Sequence, residues 1–421
     1  MNCEILSVGT ELLLGNTINT NAAELGALLS AMGIDVLWHS VVGDNPGRLR
    51  ESAEIARNRA DILIVTGGLG PTYDDLTKNV LAECFGRPLV YHPEVEAGLR
   101  SYFAQKNSAS FTENNLQQCW LPDGCTVLKN DWGTAPGCAF ECGGTHVIML
   151  PGPPNECLPM FRHRAVPYLQ SLTNQTLVSH QIHVFGRGES YVEQQFRTQM
   201  QDMVNPSLAT YAKTAEVMLR VTAKAGTEQE AEALCRPVIR QVCDTLGAYV
   251  YSVDTEGLEA VCLPLLKEKG KTFAVAESLT AGLIGARFAA LSGASSVFRG
   301  GAITYCDEVK AGMLGIDPQL IVAHGAVSRE TAEQMAIGAA RAAGADIGLS
   351  ATGLAGPLGD GSDNPVGTVF VGLAAEGQVW VRHLRLGTIG RSRIRTLAAS
   401  HAFDMLRRYL TGLPILEERY L

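Results

Sequence analysis

Apolar positions near the start of the chain follow two alternating rhythms. Glu4–Val8 is a short apolar run that ends at Gly9-Thr10-Glu11, and Asp35–Val42 and Asp61–Thr66 are further runs of strand length. Between them, Thr20–Met32 sets Ala23, Leu25, Leu28, Leu29 and Met32 at helical spacing and stops at Gly33, while Arg48–Arg59 and Asp75–Phe85 read as two more helices. Strand, glycine-bearing loop and helix in repeated order predict a mostly parallel sheet with ligands at the carboxyl ends of its strands.

A different rhythm follows. Thr176–Phe185 reads as a strand and Ser190–Met203 as a helix, and Val217, Leu219 and Val221 alternate with Met218, Arg220 and Thr222 as in a half-buried strand. Helix Glu228–Leu246 and strand Ala248–Val253 complete a small αβ module. The remainder reads as helix Leu258–Lys269, strand Thr272–Ala276, helix Ala281–Leu291, strand Gly301–Tyr305, helix Arg329–Ala343, strands Asp346–Thr352 and Gly367–Leu373, and a final amphipathic helix Ile394–Leu410. The expected division is 1–170, an α/β domain; 171–254, a small α+β module; and 255–421, a second α/β domain.

Composition narrows the function classes. A chain of 421 residues with 46% hydrophobic and 18% charged residues can build two or three packed cores. A net charge of −9 argues against a nucleic-acid partner, yet leaves nucleotides open, because helix N-termini and glycine loops hold phosphates without a basic surface. The eleven cysteines are scattered without a CxxC pair, which points away from disulfide scaffolds and zinc sites and towards a reducing compartment. MNCEILSVGTE enters a strand without a signal-peptide pattern, and no apolar stretch reaches 18 residues, so a cytoplasmic protein with no membrane span is expected.

Four glycine-containing turns follow strands in the first domain: Gly9-Thr10-Glu11, the segment around Gly43-Asp44-Asn45, the run from Gly67, Gly68 and Gly70 through Thr72 to Asp74 and Asp75, and Pro151-Gly152-Pro153-Pro154. Glycine lets backbone approach a phosphate, and Asp44, Asp74 and Asp75 could hold a Mg²⁺ or similar divalent ion that bridges ligand phosphates. Tight turns and a helix cap would account for the same residues. In the last domain, Glu277-Ser278-Leu279-Thr280-Ala281-Gly282 joins a strand to a helix, where Ser278 reads either as an N-cap or as an exposed nucleophile. Tyr305 ends a strand, and Lys310 lies early in the following helix, either solvated or as a desolvated amine able to take a serine proton. Ser350, Thr352 and the backbone near Gly353 and Gly356 form a loop suited to a phosphate or an oxyanion.

These pieces together resemble the CinA family. VGTELLLG, TGGLGPTYDDLT, NDWGTAPG (130–137) and LPGPPNE (150–156) are similar to its molybdopterin-binding-type domain, of the MoaB/MogA kind, which implies a three-layer fold. Gly186-Arg187-Gly188-Glu189-Ser190 and the ATYAK stretch at 209–213 resemble its middle module. ESxT, TYxxxxK, GAVS (325–328) and GxAGP ahead of PVGT resemble its nicotinamide-nucleotide amidase domain, of the PncC type. The resemblance implies a Ser278–Lys310 dyad with Tyr305 beside it, with Thr280, Gly282, Ser350, Thr352, Gly353 and Gly356 around the substrate and no cofactor for the amidase. For the first domain it implies metal-dependent hydrolysis of the ADP-ribose pyrophosphate bond, with Thr10 and Glu11 sharing the pocket of the carboxylates. It also implies a homodimer that takes nicotinamide mononucleotide and ADP-ribose, and no nucleic acid. The common ESCTGG reads ESLTAG here, so Ala281 adds a methyl where backbone approaches the ligand. The competing reading is a nucleotide- or pterin-binding protein with pyrophosphatase activity only.

Overall fold

The computed structural model describes residues 1–105, 111–172 and 176–417. The chain divides into two compact units, Met1–Val178 with Ala223–Ala233, and Ser179–Thr222 with Leu234–Leu421.

In the first unit, β1 (Asn2–Val8), β2 (Asp35–Val42), β3 (Ile62–Thr66), β4 (Thr126–Leu128), β5 (Gly137–Cys142) and β6 (Thr145–Leu150) form one sheet in the order β2-β1-β3-β6-β5-β4. The first four in that order run parallel, and β5 and β4 are antiparallel additions. Helices α1 (Thr20–Ala31), α2 (Pro46–Arg57) and α3 (Thr77–Cys84) cover both faces. Alternation divides the strands between two cores: Leu6, Leu63 and Val65 pack with Leu49 and Ala53 of α2 and Leu81 of α3, whereas Ile5, Ile62 and Ile64 pack with Leu25 and Leu29 of α1. Burial on both faces is why these strands read as continuous apolar runs, and it yields the expected three-layer domain. Helix α3 starts at Thr77, later than the expected Asp75, because the Asp75 amide closes a turn onto the Thr72 carbonyl instead.

A four-stranded sheet, most of whose residues belong to the second unit, consists of β7 (Thr176–Phe185), β8 (Ser207–Lys213), β9 (Glu216–Ala225) and β10 (Val250–Val253), in the order β8-β9-β7-β10. Its helices are α4 (Glu189–Asp202) and α5 (Glu228–Leu246). A second sheet follows: β11 (Phe273–Glu277), β12 (Phe298–Ile303), β13 (Ile347–Gly353), β14 (Thr368–Ala375) and β15 (Gln378–Arg385), ordered β12-β11-β13-β14-β15. The first three are parallel and the last two antiparallel. The helices around it are α6 (Leu258–Glu268), α7 (Leu283–Ala289), α8 (Asp307–Leu314), α9 (Arg329–Ala343) and α10 (Arg391–Thr411).

On one face Phe273, Val275 and Leu349 meet Cys262 and Leu266 of α6 and Phe403 and Leu406 of α10. The other face carries α9, whose alanines sit so close that a Cβ on Gly348 would lie 1.9 Å from the Ala336 carbonyl oxygen. Most of the middle module, Ser179–Thr222 and the chain from Leu234 onward, belongs to the same unit as the last domain. Phe185 joins its core and meets His401 edge-on at 4.9 Å, and Arg407 donates to the Ala248 carbonyl at 2.8 Å. Asp404 of α10 is buried among Arg382, Arg407 and Arg408 at 2.8, 2.8 and 3.0 Å, a charge cluster that fixes α10 to β15. Among the described residues no helix is long and apolar enough to cross a membrane.

Candidate functional site

Two places in the molecule gather the residues singled out above. In the first unit, a cavity of about 400 Å³ is lined by Glu11, Asp44, Gly67, Gly68, Gly70, Thr72, Asp74, Asp75 and Gly152. It opens where β1, β3 and β6 end, as parallel strand topology requires. Thr10 stands behind this wall and orients Asp44, donating to Oδ2 from its amide at 2.9 Å and its hydroxyl at 2.7 Å. Asp75 accepts from the amide and hydroxyl of Thr72 at 2.8 and 2.6 Å. The Thr72 hydroxyl also holds the Asp74 carboxyl below its ordinary range. Gly67 has a φ of 99°, and a Cβ there would lie 2.2 Å from the Val8 carbonyl oxygen, so only glycine closes this wall.

Among the described residues no three carboxylate, imidazole or thiol groups stand together as a chelate. Asp44 and Asp75 are instead held as hydrogen-bond acceptors by threonines. That arrangement fits an ion of the Mg²⁺ kind only if one or two of these carboxylates share it with phosphate oxygens brought by a ligand. The sequence reading missed two further groups. Glu156 lines the cavity and accepts from Asn130 Nδ2 at 2.7 Å. Thr77 has a fully buried hydroxyl with no partner among the described residues, and a Cβ on Gly68 would clash with it.

In the second unit the arrangement is tighter. Ser278 follows the last residue of β11, and its amide bonds the Ala351 carbonyl of β13 at 2.9 Å. On the opposite side, the Thr304 amide bonds the Glu277 carbonyl at 2.8 Å, which sets the end of β12, and Tyr305 after it, beside the serine-bearing turn. Lys310, on the first turns of α8, is 2% exposed, and its Nζ donates to Asp307 Oδ1 at 3.0 Å. No hydrogen bond joins Lys310 to Ser278 in this structure; the amine rests on a carboxylate that the sequence reading did not weigh. Thr280 and Thr304, both fully buried, carry hydroxyls with no hydrogen-bond partner among the described residues.

Glu277 closes part of the helix start. Its buried carboxylate accepts from the amides of Ile284 and Gly285 at 3.1 and 2.8 Å, so those donors of α7 are already satisfied. The turn before α7 places Ala281 at φ 48° and Gly282 at φ 89°, and the amides of Thr280 and Gly282 have no partner among the described residues. Ala281 therefore occupies a backbone conformation that suits glycine. Leu279, where the family pattern has cysteine, is buried in the core.

Ser350 and Thr352 do not open into this region. The Ser350 hydroxyl, fully buried, donates to the Ala332 carbonyl of α9 at 2.6 Å, and the Thr352 hydroxyl donates to Ala326 at 2.7 Å. Both fasten β13 to its surroundings. Gly353 permits close strand packing, since a Cβ there would lie 2.6 Å from the Thr368 carbonyl oxygen, and Gly356 has a φ of 76°.

The residues that hold the site together come from α10. Arg391 donates to the Tyr305 hydroxyl at 2.8 Å and to the Gly356 carbonyl at 3.0 Å, and Arg395 donates to the carbonyls of Leu279 and Thr280 at 3.0 and 2.7 Å. Arginines at a helix N-terminus oppose the helix dipole, and that mismatch in Arg391-Ser392-Arg393-Ile394-Arg395 was the available sequence signal.

Residues 4–171 match the family described as a probable molybdopterin binding domain, 179–252 the damage-inducible protein CinA KH domain, and 255–410 the CinA C-terminal domain. A CinA-like protein of Dictyoglomus turgidum is 45% identical over 413 residues, 98% of this chain and 100% of that protein. A putative competence-damage inducible protein of Clostridium acetobutylicum is also 45% identical over 413 residues, with the same shares covered. Among solved structures, a CinA protein of unknown function from Thermoplasma acidophilum is 33% identical over 39% of this chain and 96% of its own, with a TM-score of 0.37.

Proposed function

Because this chain belongs to the CinA family from end to end of its three matched domains, we propose that its last domain hydrolyses the carboxamide of nicotinamide mononucleotide to nicotinic acid mononucleotide and ammonia. One observation carries the reading: Ser278 stands at the carboxyl edge of the central parallel strands, and a buried lysine follows on the helix that leaves the neighbouring strand. A serine presented there is exposed to substrate, and a buried amine nearby is a base shielded from water.

In the proposed reaction Lys310 takes the hydroxyl proton of Ser278, and the ammonium so formed shares its charge with Asp307. The serine oxygen attacks the carboxamide carbon. The oxyanion meets the unpartnered amide of Gly282, where a donor fixed in advance stabilises developing charge. Ammonia leaves with a proton delivered from Lys310 or from Tyr305, whose hydroxyl Arg391 holds in place. Water then cleaves the acyl-enzyme and restores Ser278. The test is ammonia release from nicotinamide mononucleotide by purified protein in chelator, beside Lys310→Ala. Metal-independent release that the substitution abolishes supports the dyad; release unchanged by Lys310→Ala overturns it.

The cavity of the first unit favours a second activity, metal-dependent hydrolysis of the ADP-ribose pyrophosphate bond, since it joins glycine loops to Asp44, Asp74 and Asp75. A divalent ion would polarise the phosphoryl group and activate water there. Chelator separates the two activities. If hydrolysis of ADP-ribose is found without any deamidation, the protein is a nucleotide-binding pyrophosphatase alone. The reading implies a cytoplasmic homodimer that acts on small nucleotides.

A further inference from the structure

The middle-module segments Gly186-Arg187-Gly188-Glu189 and ATYAK have no part in the proposed chemistry, yet the fold brings them to one place. With the end of β15 and the first turn of α10 they enclose a cavity of about 520 Å³. Its cationic lining is Arg187, Lys213, Arg385 and Arg393, and its carboxylates are Glu189 and Glu216. Lys213 is already paired with Glu256 at 2.7 Å, and Glu216 accepts from the Tyr251 hydroxyl at 2.5 Å and faces His183 at 3.7 Å. Arg187 donates through Nη2 to the Tyr249 hydroxyl at 2.6 Å, while its Nε is buried without a partner. The exposed guanidiniums of Arg385 and Arg393 make no hydrogen bond or ion pair among the described residues, and burial together with the Arg385 and Arg329 charges holds the His383 ring below its ordinary range. A concave site with two uncompensated guanidiniums and an orphan N–H suits the forked geometry of a phosphate. Inorganic phosphate would fill little of this volume, whereas a mononucleotide matches it.

The same helix turn serves both places. Arg391 and Arg395 hold Tyr305 and the Ser278 turn, and Arg393 between them lines the cavity. We propose that this cavity binds a nucleoside monophosphate and that its occupancy sets the first turn of α10, thereby tuning the Ser278 site. The tuning, though not the binding, rests on the amidase reading.

The experiment uses the full chain with AMP as probe and phenylglyoxal modification of arginines read by peptide mass spectrometry. AMP at ten times its Kd should slow modification of Arg385 and Arg393 by about 10-fold and leave Arg299, exposed on β12, unchanged. Saturating AMP should also shift KM for ammonia release, and the shift should vanish in the Arg385→Ala/Arg393→Ala variant. No protection of either arginine overturns the site. Equal protection by inorganic phosphate at the same concentration overturns the nucleoside class. Protection with no change in KM, or a KM shift that persists in the double variant, overturns the tuning. A wild-type protein that releases no ammonia would defeat the amidase reading, while the protection measurement still decides the site.

Discussion

The first unit's cavity and the second unit's strand edge solve opposite electrostatic problems. The cavity gathers carboxylates that answer to nearby threonines: Asp75 bonds a residue three positions away, and Asp44 one that is 34 away. Its negative charge is left for a ligand or ion to balance. The strand edge instead carries cations and buried hydroxyls, held by a helix 86 to 116 residues downstream of the groups it fixes. A site awaiting a cation can be made from loops, whereas a base shielded from water must be built into packed structure. The contrast explains why chelator should divide the two proposed activities.

Substitutions can break that contrast, beginning with the nucleophile. Ser278→Ala should lower ammonia release by about 1,000-fold or more while leaving ADP-ribose hydrolysis intact. Steady-state assays of both reactions on one preparation would check this, and an equal loss of both would merge the two sites. Next is the buried charge cluster that anchors α10. Burial raises the Asp404 carboxyl, but Arg382, Arg407 and Arg408 outweigh it and hold it below its usual 3.8. A carboxylate with a lowered folded value stabilises fully above its unfolded value and loses that contribution as pH falls from 3.8 through the folded value. Asp404→Asn should therefore cost about 3–5 kcal/mol at neutral pH and flatten the acid limb of the stability curve, as denaturant titrations from pH 7 down to about 2 would reveal.

Arg391→Ala removes two hydrogen bonds that position Tyr305 and the Gly356 loop. It should reduce kcat by about 10- to 100-fold, because each charge-assisted bond contributes about 1.5–3 kcal/mol and water replaces part of it. A kcat that held while KM rose would move Arg391 from positioning to simple binding. The smallest effect is expected at Ala281, whose φ of 48° suits glycine. Ala281→Gly should raise stability by about 1 kcal/mol, offset in part by the entropy of the freer chain, and a thermal melt would detect it.

The sequence by itself determined the parallel cores, the order of domains and the loops at strand ends. Apolar runs and glycine turns are local, and β1, β3 and β11 differ from their expected bounds by at most two residues at either end. It also gathered the carboxylates of the first cavity, because loops that follow neighbouring parallel strands must emerge at one edge. Tertiary structure alone decided which polar groups face a ligand. Ser350 and Thr352 read as part of a promising loop motif, but they lie on strand β13, and α9 and residues 325–328 draw their hydroxyls into the fold. Glu277 reads as part of a nucleophile motif, yet its carboxylate caps α7 and takes two of its first backbone donors. Arg391 and Arg395 lie far along the chain from the turns they hold, and Asp307 claims Lys310 only once α8 has formed. Hydrogen-bond partners are set by packing across long sequence separations, and the pattern of apolar and polar positions carries no record of them.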